Sequence, residues 1–82
     1  MEAPAPDRTL DAKGLLCPMP IVKLSRLVKE MATDEVVLME TTDPGSIPDV
    51  TAWAKQTGNP LIAHEQVGNT MRFWIRRAPA CT

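Results

Sequence analysis

Residues 14–31 read GLLCPMPIVKLSRLVKEM, and the placement of two prolines within that stretch decides the fold. From Pro18 to about Met31 the apolar residues Ile21, Leu24, Val28 and Met31 recur at i, i+3, i+7 and i+10, with Leu27 widening the stripe. Lys23, Arg26, Lys29 and Glu30 fall largely on the remaining surface. This is the pattern of an amphipathic helix with one buried face. Pro18 and Pro20 would disrupt such a helix in its interior, yet proline is tolerated in the first turn, whose N–H groups have no partner within the helix. The spacing predicts Cys17 as the N-cap, Pro18 at N1 and Pro20 at N3. The N–H groups of Met19 and Ile21 are then expected to point at the sulfur. Pro18 also biases Cys17 toward the extended geometry of an N-cap. The prolines fix the start of the helix rather than break it.

The elements on either side follow from this helix. Arg8 to Asp11 reads as a short first strand, and Gly14 as the turn that leads from it. EVVLMETT, residues 35–42, is short, apolar and β-branched, as a central strand should be. It ends at Asp43-Pro44-Gly45, a strong turn signal. A second helix is expected to follow, with Ser46 as N-cap, Asp49 completing a capping box and Gly58 as the C-terminal glycine. Ile47, Val50, Trp53 and Ala54 form its apolar face. Leu61 to Glu65 reads as a third strand, Gly68-Asn69 as a hairpin turn, and TMRFWIRR as a fourth strand. In that last strand Met71, Phe73 and Ile75 alternate with Arg72, Trp74 and Arg76. The order β-α-β-α-β-β predicts an α+β two-layer sandwich, with a mixed four-stranded sheet and two helices on one face. One domain over residues 9–77 is expected, after a disordered Ala/Pro-rich lead-in over 1–8 and before a flexible tail over 78–82.

Bulk properties exclude several function classes. The 82 residues, 44% hydrophobic and 23% charged, are ordinary for one small globular domain. The formal net charge of −1 opposes a surface built as a whole for nucleic acid, so direct nucleic-acid binding is not expected. No apolar run approaches the roughly 18 residues a membrane span needs, and MEAPAPDRT has neither the basic start nor the apolar core of a secretion signal. The expected compartment is the cytoplasm, where thiols stay reduced. Cys17, Cys81 and His64 are too few for a structural zinc site, so no metal is expected.

Cys17 is therefore a single framed thiol. An anion at a helix N-terminus is favoured by the helix dipole and the unpaired N–H groups, which lowers the pKa of a cysteine there. Lys13, Lys23 and Arg26 would add positive potential if they face the same end, and Met19, between the prolines, would lie exposed beside the sulfur as part of a docking surface. The plainer reading is a small buried residue capping the core, as free cysteines often are. The flanking Pro-x-Pro favours reactivity.

Leu10-Asp11, Gly14-Leu15, Cys17-Pro18-x-Pro20, Thr42-Asp43-Pro44-Gly45, Asp49, Trp53 and Gly58 resemble, in order and spacing, the TusA/SirA-like sulfur-carrier family. The likeness covers nearly all of the chain beyond its first eight residues. It implies the same β-α-β-α-β-β sandwich, and a carrier rather than a turnover enzyme. It implies that Cys17 carries sulfur as a persulfide, with Gly14, Leu15, Pro18 and Pro20 as its supporting motif. The implied partners are a cysteine desulfurase or rhodanese as donor and a DsrE-like or other sulfur-acceptor protein. No cofactor beyond the covalent sulfur is implied, and the carrier alone is expected to be a monomer. The pathways served by the family include tRNA thiolation, molybdenum cofactor assembly and sulfur oxidation, and no residue here selects among them. Thr33-Asp34-Glu35 replaces the Pro-Gly-Glu common in the family, a change expected to affect only turn geometry.

The remaining residues have blander expectations. His64 reads as a surface or edge histidine, Asp11 and Asp43 as turn residues bonded to backbone N–H groups, and Trp53 as core. Trp74 is expected on a solvated outer face of the sheet; the Arg-Trp-Arg run there otherwise suggests a contact for RNA or a partner protein. Two other functions compete with a carrier: a regulatory or RNA-contacting module in which Cys17 only caps a helix, and a dithiol switch between Cys17 and Cys81.

Overall fold

Six elements build the chain: β1 (Arg8–Ala12), α1 (Met19–Glu30), β2 (Val36–Thr41), α2 (Ser46–Thr57), β3 (Leu61–Val67) and β4 (Thr70–Arg76). They come from a computed structural model that describes residues 5–16 and 18–79; Cys17 and Cys81 lie outside the described residues. The strands form one sheet in the order β1-β2-β4-β3. β1 runs parallel to β2, while β4 is antiparallel to both β2 and β3. The mixed sheet and the element order are those the sequence predicts.

Both helices lie on one face. Leu24 and Val28 of α1 and Val50, Trp53 and Ala54 of α2 share a core with Val37, Met39, Met71, Phe73 and Ile75 of the sheet. Trp53 is buried as expected, and its indole Nε1–H donates to Ser25 Oγ at 2.8 Å, which pins α2 to α1. Gly58 closes α2 in the left-handed conformation, φ +76°, where a side chain would be strained.

The other face of the sheet departs from expectation. Trp74 points outward, as its alternation predicts, but is only 6% exposed. It forms a second apolar cluster with Val36 and Leu38, against which Ile62 and Ala63 pack. An irregularity in the β3–β4 register between Leu61 and Ala63 accounts for both of these β3 residues meeting the same cluster, since a bulge sets two residues opposite one. The Arg72 guanidinium lies 5.1 Å from the Trp74 ring centre and covers it further. A strand residue that alternates outward is thus not solvated here.

Both ends of the predicted domain are tied in beyond their expected limits. Asp7, assigned to the lead-in, exchanges two hydrogen bonds with Val36: its N–H donates to the Val36 carbonyl at 2.8 Å, and its carboxylate accepts the Val36 N–H at 2.9 Å. Arg8 is already in β1. At the other end, the Ala78 N–H donates to Asn59 Oδ1 at 2.9 Å.

Candidate functional site

The candidate site lies at the carboxyl ends of the parallel pair. Ala12 and Thr41 are register partners there, and the chain leaves each strand through a short loop into a helix. The first loop turns at Gly14, whose φ of +81° is the left-handed value required at the third position of the Ala12–Leu15 turn. Its N–H donates to Thr42 Oγ1 at 2.9 Å, joining the two loops. Asp11 accepts the Lys13 N–H and Asp43 the Gly45 N–H, both at 3.0 Å, as expected of turn aspartates. Leu15 packs against the core, anchoring the chain just before the motif.

The helix starts one residue later than the spacing predicts. Pro18 is the N-cap, its carbonyl accepting the Val22 N–H at 3.1 Å, and Pro20 is buried in the first turn. The Met19 N–H, expected to face the sulfur, instead donates to the Leu16 carbonyl at 2.9 Å. That bond uses the donor. Pro18 and Pro20 have none, so Ile21 is the residue of the first turn whose N–H is neither missing nor turned back to Leu16. No acidic residue occupies that turn; the carboxylate on the groove beside it is Asp49 of α2.

The residues flanking Cys17 in the sequence are exposed. Leu16 is 73% and Met19 43% exposed, unusual for large apolar side chains, and Pro18 is exposed between them. Met19, Lys23 and Arg26 stand at i, i+4 and i+7 and so share one stripe of α1. Lys23 and Arg26 are exposed, with no carboxylate partner among the described residues. Lys13 is held apart from them: its ammonium lies 3.9 Å from Glu40, which also pairs with Arg72 on the outer face of the sheet. Leu16 was not singled out in the sequence. The Leu15-Leu16 pair carried the signal, because two adjacent residues of a non-helical stretch cannot both face the core.

A groove of about 230 Å3 opens beside Pro18, between Ile21 of α1 and Asp49, Ala52 and Gln56 of α2, with Trp53 at its base. A larger cavity of about 420 Å3 lies between α2 and β3, next to Leu61 and His64, and touches none of the motif. His64 is exposed on the edge strand β3, 6.4 Å ring to ring from Phe73. Among the described residues no group of three or more His, Cys, Asp or Glu could hold a metal ion, and no helix is long and apolar enough to cross a membrane.

Comparison with known proteins fits this architecture. Residues 8–77 match the family described as sulfurtransferase TusA. The sulfur carrier protein TusA of Allochromatium vinosum is 40% identical over 72 residues, covering 88% of this chain and 95% of that protein. The putative sulfur carrier protein YrkI of Bacillus subtilis is 39% identical over 71 residues, covering 87% and 95%. A third relative, the putative sulfur carrier protein YrkF of Bacillus subtilis, is 46% identical over 68 residues, which are 83% of this chain but 37% of that protein. The crystal structure of a SirA-like protein from Desulfitobacterium hafniense superposes with a TM-score of 0.76 at 20% identity, over 88% of this chain and 99% of the other, and so shares its fold. With the TusA match spanning both loops, both helices and all four strands, the chain belongs to the TusA sulfurtransferase family.

Proposed function

We propose that this chain is a sulfur carrier in which Cys17 accepts a sulfane sulfur as a persulfide and passes it to an acceptor protein. The observation that carries the reading is the exposed apolar edge Leu16-Pro18-Met19 at the head of α1, on a helix whose first turn holds no carboxylate. A reactive group there is open to a partner's active site and sits in a potential that favours an anion. The names of the relatives support the same role.

The transfer is balanced without an outside oxidant. The Cys17 thiolate attacks the terminal sulfur of a donor persulfide, a new S–S bond forms, and the donor's own S–S bond breaks with its electron pair leaving on the donor thiolate. The carried persulfide stays ionised at the helix N-terminus. An acceptor thiolate then attacks its terminal sulfur and Cys17 departs as thiolate. The donor and acceptor supply any further acid or base, which suits a carrier with no histidine near the motif in sequence. A cysteine desulfurase or a rhodanese would serve as donor and a DsrE-like protein as acceptor. The carrier works as a monomer in a reducing, cytoplasmic compartment. Met19, Lys23 and Arg26 form the docking stripe beside the cysteine.

Intact-mass measurement tests this directly. After incubation with a cysteine desulfurase and cysteine, or with a rhodanese and thiosulfate, the wild-type chain should gain one sulfur atom that dithiothreitol removes. Cys17→Ser should gain none, and Cys81→Ser should load like wild type. Loading that persists in Cys17→Ser, or wild type that loads from neither donor, would sink the proposal. A Cys81→Ser variant that fails to load would favour the dithiol switch instead.

A further inference from the structure

Where α1, α2 and the end of β4 meet, Ser25, Lys29, Trp53, Thr57, Asn59 and Arg77 line a pocket of about 140 Å3. It lies toward the helix C-termini, away from the Cys17 end of α1. Its polar chemistry is one-sided. Ser25 Oγ already accepts the Trp53 Nε1–H, which leaves the serine hydroxyl to donate. Asn59 is only 4% exposed; its Oδ1 accepts the Ala78 N–H, and its two amide N–H groups have no acceptor among the described residues. Lys29 and Arg77 add two cations, neither paired with a carboxylate among the described residues. No Asp or Glu lines the space.

Two helix C-termini point toward this end, and their partial negative charge opposes an anion. The carbonyls there are largely engaged, however. Val28 O accepts the Met31 N–H at 3.1 Å, Ala54 O the Gly58 N–H at 2.9 Å, and Trp53 O the Thr57 hydroxyl at 2.8 Å. What the pocket offers to a guest is therefore donors and positive charge.

We infer that this pocket binds one free tetrahedral oxyanion, sulfate or inorganic phosphate, held by Lys29 and Arg77 and hydrogen-bonded by Asn59 Nδ2 and Ser25 Oγ. Asn59 Nδ2 is not among the buried unpartnered side-chain atoms of the described residues, so it faces accessible space and is free to donate to an oxyanion there. Charge-assisted bonds from guanidinium and ammonium are the strong ones for such a guest. The volume of 140 Å3 equals about four to five waters at roughly 30 Å3 each, far below the roughly 300 Å3 at which organic-ligand pockets begin. The site uses none of the Cys17 motif and stands apart from the carrier reading.

Trp53 forms one wall, so its fluorescence reports occupancy; Trp74→Phe removes the second indole, which lies across the sheet. The full chain is titrated with sodium sulfate and with sodium phosphate, against sodium chloride at matched ionic strength. A saturable single-site change is expected with at least one oxyanion and none with chloride. In the wild-type chain, the Asn59 side-chain amide peaks of a proton–nitrogen correlation spectrum should shift along the same isotherm. Lys29→Gln and Arg77→Gln should each weaken binding about tenfold while leaving the thermal melt in place. Chloride reproducing the change, Asn59 peaks that stay still at saturation, or a Lys29→Gln/Arg77→Gln chain that binds as tightly as its parent would each overturn the assignment.

Discussion

Asp34 holds a φ of +71°, alone among the described non-glycine residues in the left-handed region. Its N–H donates to the Arg77 carbonyl at 2.7 Å and the next N–H, of Glu35, to Ala32 O at 3.1 Å, so the turn into β2 is fixed by its neighbours. Aspartate tolerates this conformation better than most residues but still carries a penalty that glycine does not. Asp34→Gly should raise stability by about 0.5–1 kcal/mol, and Asp34→Ala should lower it by about 1 kcal/mol, as read by urea denaturation. A glycine variant less stable than wild type would show that the aspartate side chain contributes more than its backbone costs. The sequence made this a turn and marked Asp34 as standing where the family often has glycine. It could not show that Asp34 takes a left-handed φ, because the Arg77 partner is 43 residues away along the chain and is set only by the fold.

The start of each helix was legible as an event and misplaced by one residue, for different reasons. At α1, prolines at N1 and N3 or at N-cap and N2 satisfy the same steric rule, and only the Met19-to-Leu16 bond selects the second. At α2, the Ser-x-x-Asp pattern predicts Ser46 as N-cap, but Gly45 takes that place and Ser46 is buried inside the helix. Its hydroxyl lies 2.6 Å from Thr41 Oγ1 and donates to the Asp43 carbonyl at 2.7 Å, so it joins the end of β2 to the start of α2 rather than capping. Ser46→Ala should cost about 1–3 kcal/mol, because it leaves the fully buried Thr41 hydroxyl unpaired. Thr41→Val in the same background should restore part of that loss, since removing both partners is far milder than removing one. A double-mutant cycle with no coupling would mean that the two hydroxyls do not depend on each other.

At the scale of the molecule, two clusters share one sheet, and only the larger was readable. Binary alternation in β4 correctly assigned Met71, Phe73 and Ile75 to the helix-covered face and Trp74 to the other. It missed that Trp74 is buried, because the β3 irregularity that brings Ile62 and Ala63 together against it leaves no mark in the period. The surroundings of the candidate site were legible in the same partial way: the exposure of Met19 was expected, while that of Leu16 and the separation of Lys13 from Lys23 and Arg26 depend on where the loop folds. For function, the buried indole bears on the RNA-contacting alternative, since a stacking platform needs an exposed aromatic face. Trp74→Ala should behave as a core deletion, costing about 3–5 kcal/mol and lowering the melting temperature by at least about 12 °C. Arg72→Ala, which uncovers the ring without emptying the cluster, should cost about 1 kcal/mol or less. Added single-stranded RNA should leave the fluorescence of Trp74 unchanged in a Trp53→Phe chain. Saturable quenching by RNA, together with a melt barely altered by Trp74→Ala, would return the outer face to nucleic-acid contact; a large thermal loss without quenching leaves it as the second core that a thin, one-sided sandwich needs.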